Sequence, residues 1–140
     1  MEDTSCIFCK IANGEIPSYK VYEDCDVIAF LDVNPASRGH TLVLPKDHYT
    51  SIVTTPKAIL DKAFEVAQLV AQAEIAQLGA SGVNVITNCG KSAGQTIDHF
   101  HIHVIPRYEH DGLKLDFPPK QLADSTMKEI KDSIEKGLVR

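Results

Sequence analysis

The chemistry of this chain concentrates in five residues, His99-Phe100-His101-Ile102-His103. Histidine alternates there with apolar side chains, and Val104-Ile105 prolong the apolar half of the pattern. On a strand, positions i, i+2 and i+4 share a face. The three imidazoles would then line up at a spacing of about 6–7 Å while Phe100, Ile102 and Val104 enter the core. On a helix the same spacing sends the rings in different directions and builds no common site. With 6 histidines in 140 residues, chance supplies such a run roughly 0.01 times. A merely histidine-bearing solvent face is therefore a poor account of it. Two chemistries remain open. One is a metal site, since histidine is the commonest metal ligand. The other is nucleophilic catalysis at phosphorus, where a neutral imidazole attacks while its far nitrogen is fixed by an acceptor. Neighbouring histidines would contact phosphate oxygens and stabilise charge in the transition state.

Two further segments carry chemistry. The loop Asn88-Cys89-Gly90-Lys91-Ser92-Ala93-Gly94-Gln95-Thr96 offers glycines, backbone amides, an amide side chain and a hydroxyl. Such a loop can wrap a phosphate through its N–H groups. It has neither Walker nor Gly-x-Gly-x-x-Gly spacing, and taken alone it reads equally well as a connecting turn. Near the start stands Cys6-x-x-Cys9, two of four cysteines. The residues before it, Met1-Glu2-Asp3-Thr4-Ser5, lack the basic start and apolar core of an export signal. In that context the spacing reads as metal binding or redox chemistry rather than a disulfide framework. Cys25 and Cys89 read as packing or loop residues.

These groups need elements to hold them. Residues 19–23 and 27–31 are two β-prone runs separated by Asp24-Cys25-Asp26, which predicts a hairpin. Pro35 and Gly39 bracket a loop, and 40–44 reads as the next strand, ended by Pro45. Thr55 as N-cap and Pro56 at the first helical position open a long helix with apolar residues at helical period, and Gly79 stops it. Residues 83–87 read as a strand and 99–105 as the last core strand, closed by Pro106. A C-terminal helix is expected from about 119 to 136. Strands grouped in this way favour an α+β meander with mainly antiparallel pairing.

Composition is that of an ordinary soluble domain, 44% hydrophobic and 24% charged. A length of 140 residues fits a single domain without crosslinks. The net charge of -5 argues against nucleic acid as a partner, although one phosphate group needs only local donors. No apolar run approaches a membrane span. The expected compartment is the cytoplasm.

At this point the chain resembles the histidine triad (HIT) family. His99 to Ile105 matches the signature His-φ-His-φ-His-φ-φ, with φ apolar, in full. The resemblance covers nearly the whole chain. It includes Cys6-Ile7-Phe8-Cys9-Lys10-Ile11, Phe30-Leu31-Asp32-Val33-Asn34-Pro35, the stretch from Gly39 through Lys46 to His48, then Asn88 and Gly94-Gln95-Thr96. It implies a single HIT domain over 1–140, with a five-stranded sheet, one long helix and a C-terminal helix. The order and spacing are most similar to the Hint-like branch, which hydrolyses adenosine or guanosine monophosphate derivatives such as phosphoramidates and acyl-adenylates.

The resemblance also implies roles. His101 matches the nucleophile that forms a nucleotidyl-histidine, and His103 the contact to the α-phosphate. His40 matches a further active-site histidine, and Asp32 the binder of the ribose hydroxyls. Asn88 and Gln95 match polar groups around the phosphate. Thr96 stands where many relatives carry serine and would assist the leaving group. Ile28 and Val33 stand where apolar residues hold the base. Cys6, Cys9, His48 and His99 match a zinc set, two thiolates and two imidazoles suited to a structural ion. The partners implied are a purine nucleotide and a second copy in a homodimer. Two alternatives stay open: a dinucleoside polyphosphate hydrolase of the same family, and a zinc-stabilised nucleotide-binding or scaffold protein with incidental activity.

Overall fold

A computed structural model describes residues 5–139. The acidic start at residues 1–4 lies outside them. The elements are α1 (Ile7–Ala12), β1 (Lys20–Glu23), β2 (Val27–Leu31), β3 (Thr41–Pro45), α2 (Lys57–Leu78), β4 (Gly82–Ile86), β5 (Ile102–Arg107) and α3 (Asp124–Gly137). The strands form one sheet in the order β1-β2-β3-β5-β4, with every pair antiparallel. This is the α+β architecture the sequence implies. The β1–β2 turn is fixed by Asp24, whose Oδ1 accepts from the N–H groups of Asp26 and Val27, both at 2.8 Å. Helix α2 carries the chain across one face, and β5 then inserts between β3 and β4.

The sheet is covered on both faces at its centre. Ala63, Val66, Ala67 and Val70 of α2 pack on Val27, Ala29, Val43, Phe100, Ile102 and Val104. On the other face Phe8 of α1 joins Ile28, Phe30, Leu42 and Leu44. Burial on both sides explains why β2 and β3 read as continuous apolar runs rather than alternating ones.

Two local expectations are corrected, and one element is added. Thr55 does not cap α2. Its hydroxyl donates to the Ser51 carbonyl at 2.8 Å, and the cap position falls on Pro56, whose carbonyl accepts from Ile59 and Leu60. The last strand starts at Ile102 rather than 99, and it runs through Pro106 to Arg107. Pro106 pairs with Val83, while β3 pairs with β5 only as far as Val104. The proline's missing N–H therefore breaks no ladder on the β3 side. Helix α1 was not foreseen. Its six residues are too few to stand alone. The Cys6 sulfur accepts from the Cys9 N–H at 3.3 Å, and Phe8 and Cys9 are buried.

Gly39 sits where the chain turns into β3, with φ +98°. A Cβ there would lie 2.5 Å from Leu78 Cδ1 and 3.2 Å from Pro106 Cγ. The positive φ disfavours any side chain there, and the tip of Leu78 and the Pro106 ring would have to give way to it. Gly39→Ala should cost about 1–3 kcal/mol of stability in chemical denaturation. A change within experimental error would show that this turn is not constrained as described.

Candidate functional site

His99 and His101 precede the ladder, yet the alternation survives. The Phe100 N–H donates to the Tyr49 carbonyl at 2.6 Å, and the Thr87 hydroxyl donates to the His101 carbonyl at 2.7 Å. These bonds hold the segment without strand partners, as it comes out of a bend at residues 97–99 into β5. Phe100 enters the α2 core, and the histidines turn to the opposite face, toward Phe8. The rings of His101 and His103 are 4.9 Å apart.

Hydrogen bonds assign the protons. His101 Nδ1 lies 2.6 Å from the His99 carbonyl, which can only accept. The proton is therefore on Nδ1, and the Nε2 lone pair is left free. His40 Nδ1 accepts from the Ala36 N–H at 2.9 Å, so its proton sits on Nε2. That proton faces His103 Nδ1 at 3.0 Å, which places the His103 proton on its own Nε2. Asp32 Oδ2 stands 3.7 Å from His40 Nε2. The result is a bare lone pair on His101 beside an N–H donor on His103. Burial pushes the pKa of His40, His101 and His103 down, His103 to about 4. All three rings are neutral near pH 7.

Asp32, His40 and His103 also offer ligand atoms within 4.8 Å of one another. The His40–His103 hydrogen bond opposes a metal there, because one of the two facing nitrogens carries the proton.

A second cluster adjoins the first. One ligand atom from each of Cys6, Cys9, His48 and His99 lies within 4.8 Å of the others. Cys6 Sγ and Cys9 Sγ are 3.4 and 3.6 Å from His99 Nδ1, and Cys9 Sγ is 3.4 Å from His48 Nδ1. His99 Nε2–H donates to the Pro45 carbonyl at 2.8 Å, so its Nδ1 lone pair faces the thiols. Two sulfurs and two imidazoles at this range match the donor set of a closed tetrahedral zinc centre. Burial lowers the His99 pKa to about 4 and keeps that nitrogen unprotonated. His99 therefore belongs to both clusters, one through its ring and the other through its carbonyl.

Other expected residues fall less simply. Gln95 Oε1 accepts from the Gly90 N–H at 2.9 Å, and its Nε2 donates to the Thr50 and Ile97 carbonyls at 2.7 and 3.0 Å. The amides of Ala93, Gly94 and Gln95 also donate inside the loop. Gln95 is thus a brace, and these N–H groups are turned inward rather than toward a phosphate. Asn88 is half-buried and Thr96 exposed at the loop's two ends. Ile28 is buried within β2 against Phe8 and Leu44, whereas Val33 is exposed beyond the strand's end. The two do not meet. Sequence reasoning missed Phe8, whose ring stands edge-on to His101 at 5.0 Å and to His99 at 6.0 Å. Its place between the two cysteines was the available signal.

Comparison with known proteins agrees with this geometry. The HIT domain family model matches residues 13–110. A HIT family protein of Bacillus anthracis superposes with a TM-score of 0.90 at 39% identity, covering 99% of this chain and 100% of that one. A Zn-bound histidine triad family protein from Mycobacterium smegmatis superposes at 0.76 with 36% identity, covering 92% and 97%. The adenylylsulfatase HINT3 of Arabidopsis thaliana is 37% identical over 146 aligned positions, 96% of this chain and 74% of that protein.

Proposed function

This chain belongs to the HIT domain family, and on that footing we propose that it is a nucleotide hydrolase acting at the α-phosphate of purine nucleoside monophosphate derivatives. The substrates are nucleoside phosphoramidates and acyl-adenylates, and the intermediate is a nucleotidyl-histidine on His101. The observation that carries this reading is the 2.6 Å bond from His101 Nδ1 to the His99 carbonyl, which leaves Nε2 as a nucleophile. The adenylylsulfatase name of the Arabidopsis relative supports an adenylyl group on the substrate.

The reaction runs in two displacements. His101 Nε2 attacks the α-phosphorus, and the bond from phosphorus to the leaving nitrogen or oxygen breaks. A leaving amine takes a proton, which the Thr96 hydroxyl relays from solvent, while a leaving carboxylate needs none. Water then attacks phosphorus, its proton passes to solvent, and the phosphorus–nitrogen bond to His101 breaks. His103 Nε2–H, oriented by His40, donates to a phosphate oxygen in both steps. Two inversions give net retention at phosphorus. Asp32 accepts from the ribose hydroxyls, with the exposed Val33 on the base side and the buried Ile28 supporting the strand beneath it. Asn88 reaches the phosphate, and Gln95 holds the loop that carries Thr96.

Cys6, Cys9, His48 and His99 would hold zinc. With four protein ligands it supplies stability and leaves no position for a reacting water. Cysteines that form no disulfide suit the reducing cytoplasm. No helix among the described residues is long and apolar enough to cross a membrane. We read the chain as one HIT domain that works as a homodimer.

A panel of adenosine and guanosine phosphoramidates and dinucleoside polyphosphates tests the reading. Turnover of the phosphoramidates supports it. Turnover confined to the polyphosphates favours the other hydrolase class, and tight nucleotide binding without turnover favours a scaffold. The pH profile is a further check. A His101 pKa held below its ordinary value keeps the lone pair available as pH falls, so the acid limb of kcat/KM should lie below pH 6.5. A limb at or above that pH would show that the nucleophile is not desolvated.

A further inference from the structure

On the face of the sheet opposite the histidines lies a groove of about 500 Å³, between the second half of α2 and strands β1 to β3. Val21, Leu31, Leu69, Ala73 and Leu78 make it apolar, and Glu74 lines it. Glu74 is only 4% exposed. Neither of its carboxylate oxygens has a hydrogen-bond partner among the described residues. The nearby Thr41 hydroxyl donates instead to the Gly39 carbonyl at 2.8 Å. A buried carboxyl with only the Thr41 hydroxyl near it is costly in an apolar groove, and burial, opposed by that hydroxyl, raises its pKa to about 7.

The same chain has an amphipathic helix whose apolar face nothing covers among the described residues. Helix α3 has no buried residue. Met127, Ile130 and Ile134 recur every three or four residues, the spacing of a single helical face, with Leu138 just past the helix end, and each is 40% exposed or more. Lys131, four residues past Met127, borders that stripe. Its ion pairs to Asp132 and Glu135 are exposed and cost little to exchange. At about 1.5 Å per residue, α3 is about 21 Å long and the α2 wall at 69–78 about 15 Å, so the helix spans the groove.

We propose that α3 of one copy docks in the α2–sheet groove of a second copy, with Lys131 meeting Glu74. The occupant follows from complementarity. An apolar groove with an unpaired acid and an apolar helix with a bordering cation lie on one chain. Two copies satisfy both by a two-fold exchange, which closes. The inference specifies how a homodimer would form and does not depend on the histidine chemistry, which opens on the other face of the sheet.

Charge reversal separates exchange from folding back. In Glu74→Lys both groups of the pair are cationic, and in Lys131→Glu both are acidic. Each variant alone should raise the dimer dissociation constant about tenfold or more by sedimentation equilibrium. A one-to-one mixture of the two variants restores both contacts, because each groove then receives the opposite charge from the other copy. The mixture should return to the wild-type constant. If α3 folds into its own groove, mixing restores nothing, and that result overturns the proposal, as does a wild-type mass of a single chain at every concentration. Should Glu74→Lys not fold, Ile134→Lys on the exposed helix serves instead. It should also raise the constant about tenfold. An unchanged constant would overturn the proposal, and phosphoramidate turnover measured in parallel reports on the catalytic reading separately.

Discussion

His101→Ala or His101→Gly should lose turnover of an adenosine phosphoramidate by about 10⁴-fold or more, with the fold intact. The size of the effect follows from the role. In the proposed reaction the ring supplies the atom that bonds to phosphorus, and no neighbour can replace it. His99 points its lone pair at two thiols, and His103 presents a proton rather than a lone pair. The residual rate comes from phosphate contacts alone. Mass spectrometry of the wild type after rapid quenching should find a nucleotide monophosphate on His101 and on no other histidine. Full activity in His101→Gly, or an adduct elsewhere, would end the assignment. Far-UV circular dichroism should be unchanged, because the segment is held by backbone bonds that survive the substitution.

Loss of the cysteine–histidine centre should have the largest effect on stability. Cys9→Ser should lower the thermal midpoint by about 10 °C or more, and chelation of the purified protein should do the same. Cys9 is 1% exposed, and its sulfur faces both His48 and His99. A hydroxyl in that position is a poor zinc ligand in a buried place. Elemental analysis should find one zinc per wild-type chain and none in the variant. A metal-free wild type with an unchanged midpoint would show that the four residues are a reduced cluster and not a zinc centre. Effects on turnover are expected too, since His99 carries the carbonyl that fixes the nucleophile's proton.

Much of this was legible in the residue order, for identifiable reasons. The histidine alternation carries its own burial pattern, because Phe100 seeks the α2 core while His99 and His101 pack on Phe8, even with a bend at His99. That is why the facing survives although His99 and His101 lie outside β5. Helix α2 is long enough for its period to show. Helix α1 is not, and it exists through the burial of Phe8 and Cys9 and a sulfur cap, all long-range or side-chain effects. The strand boundary at Ile102 depends on where β3 can pair, which no local pattern encodes. Gln95 looked like a phosphate contact because its type and place fit. Its three loop bonds, made with Gly90, Thr50 and Ile97, depend on a fold that brings residue 50 beside residue 95.

The contact between Cys6 and His99 joins residues 93 positions apart. A metal held there would tie the beginning of the chain to a point more than two-thirds along it. Folding alone brings those ends together, and the entropy it gives up in closing the loop grows only slowly with loop length. The metal's binding energy would therefore be felt as folding energy for the whole span between them.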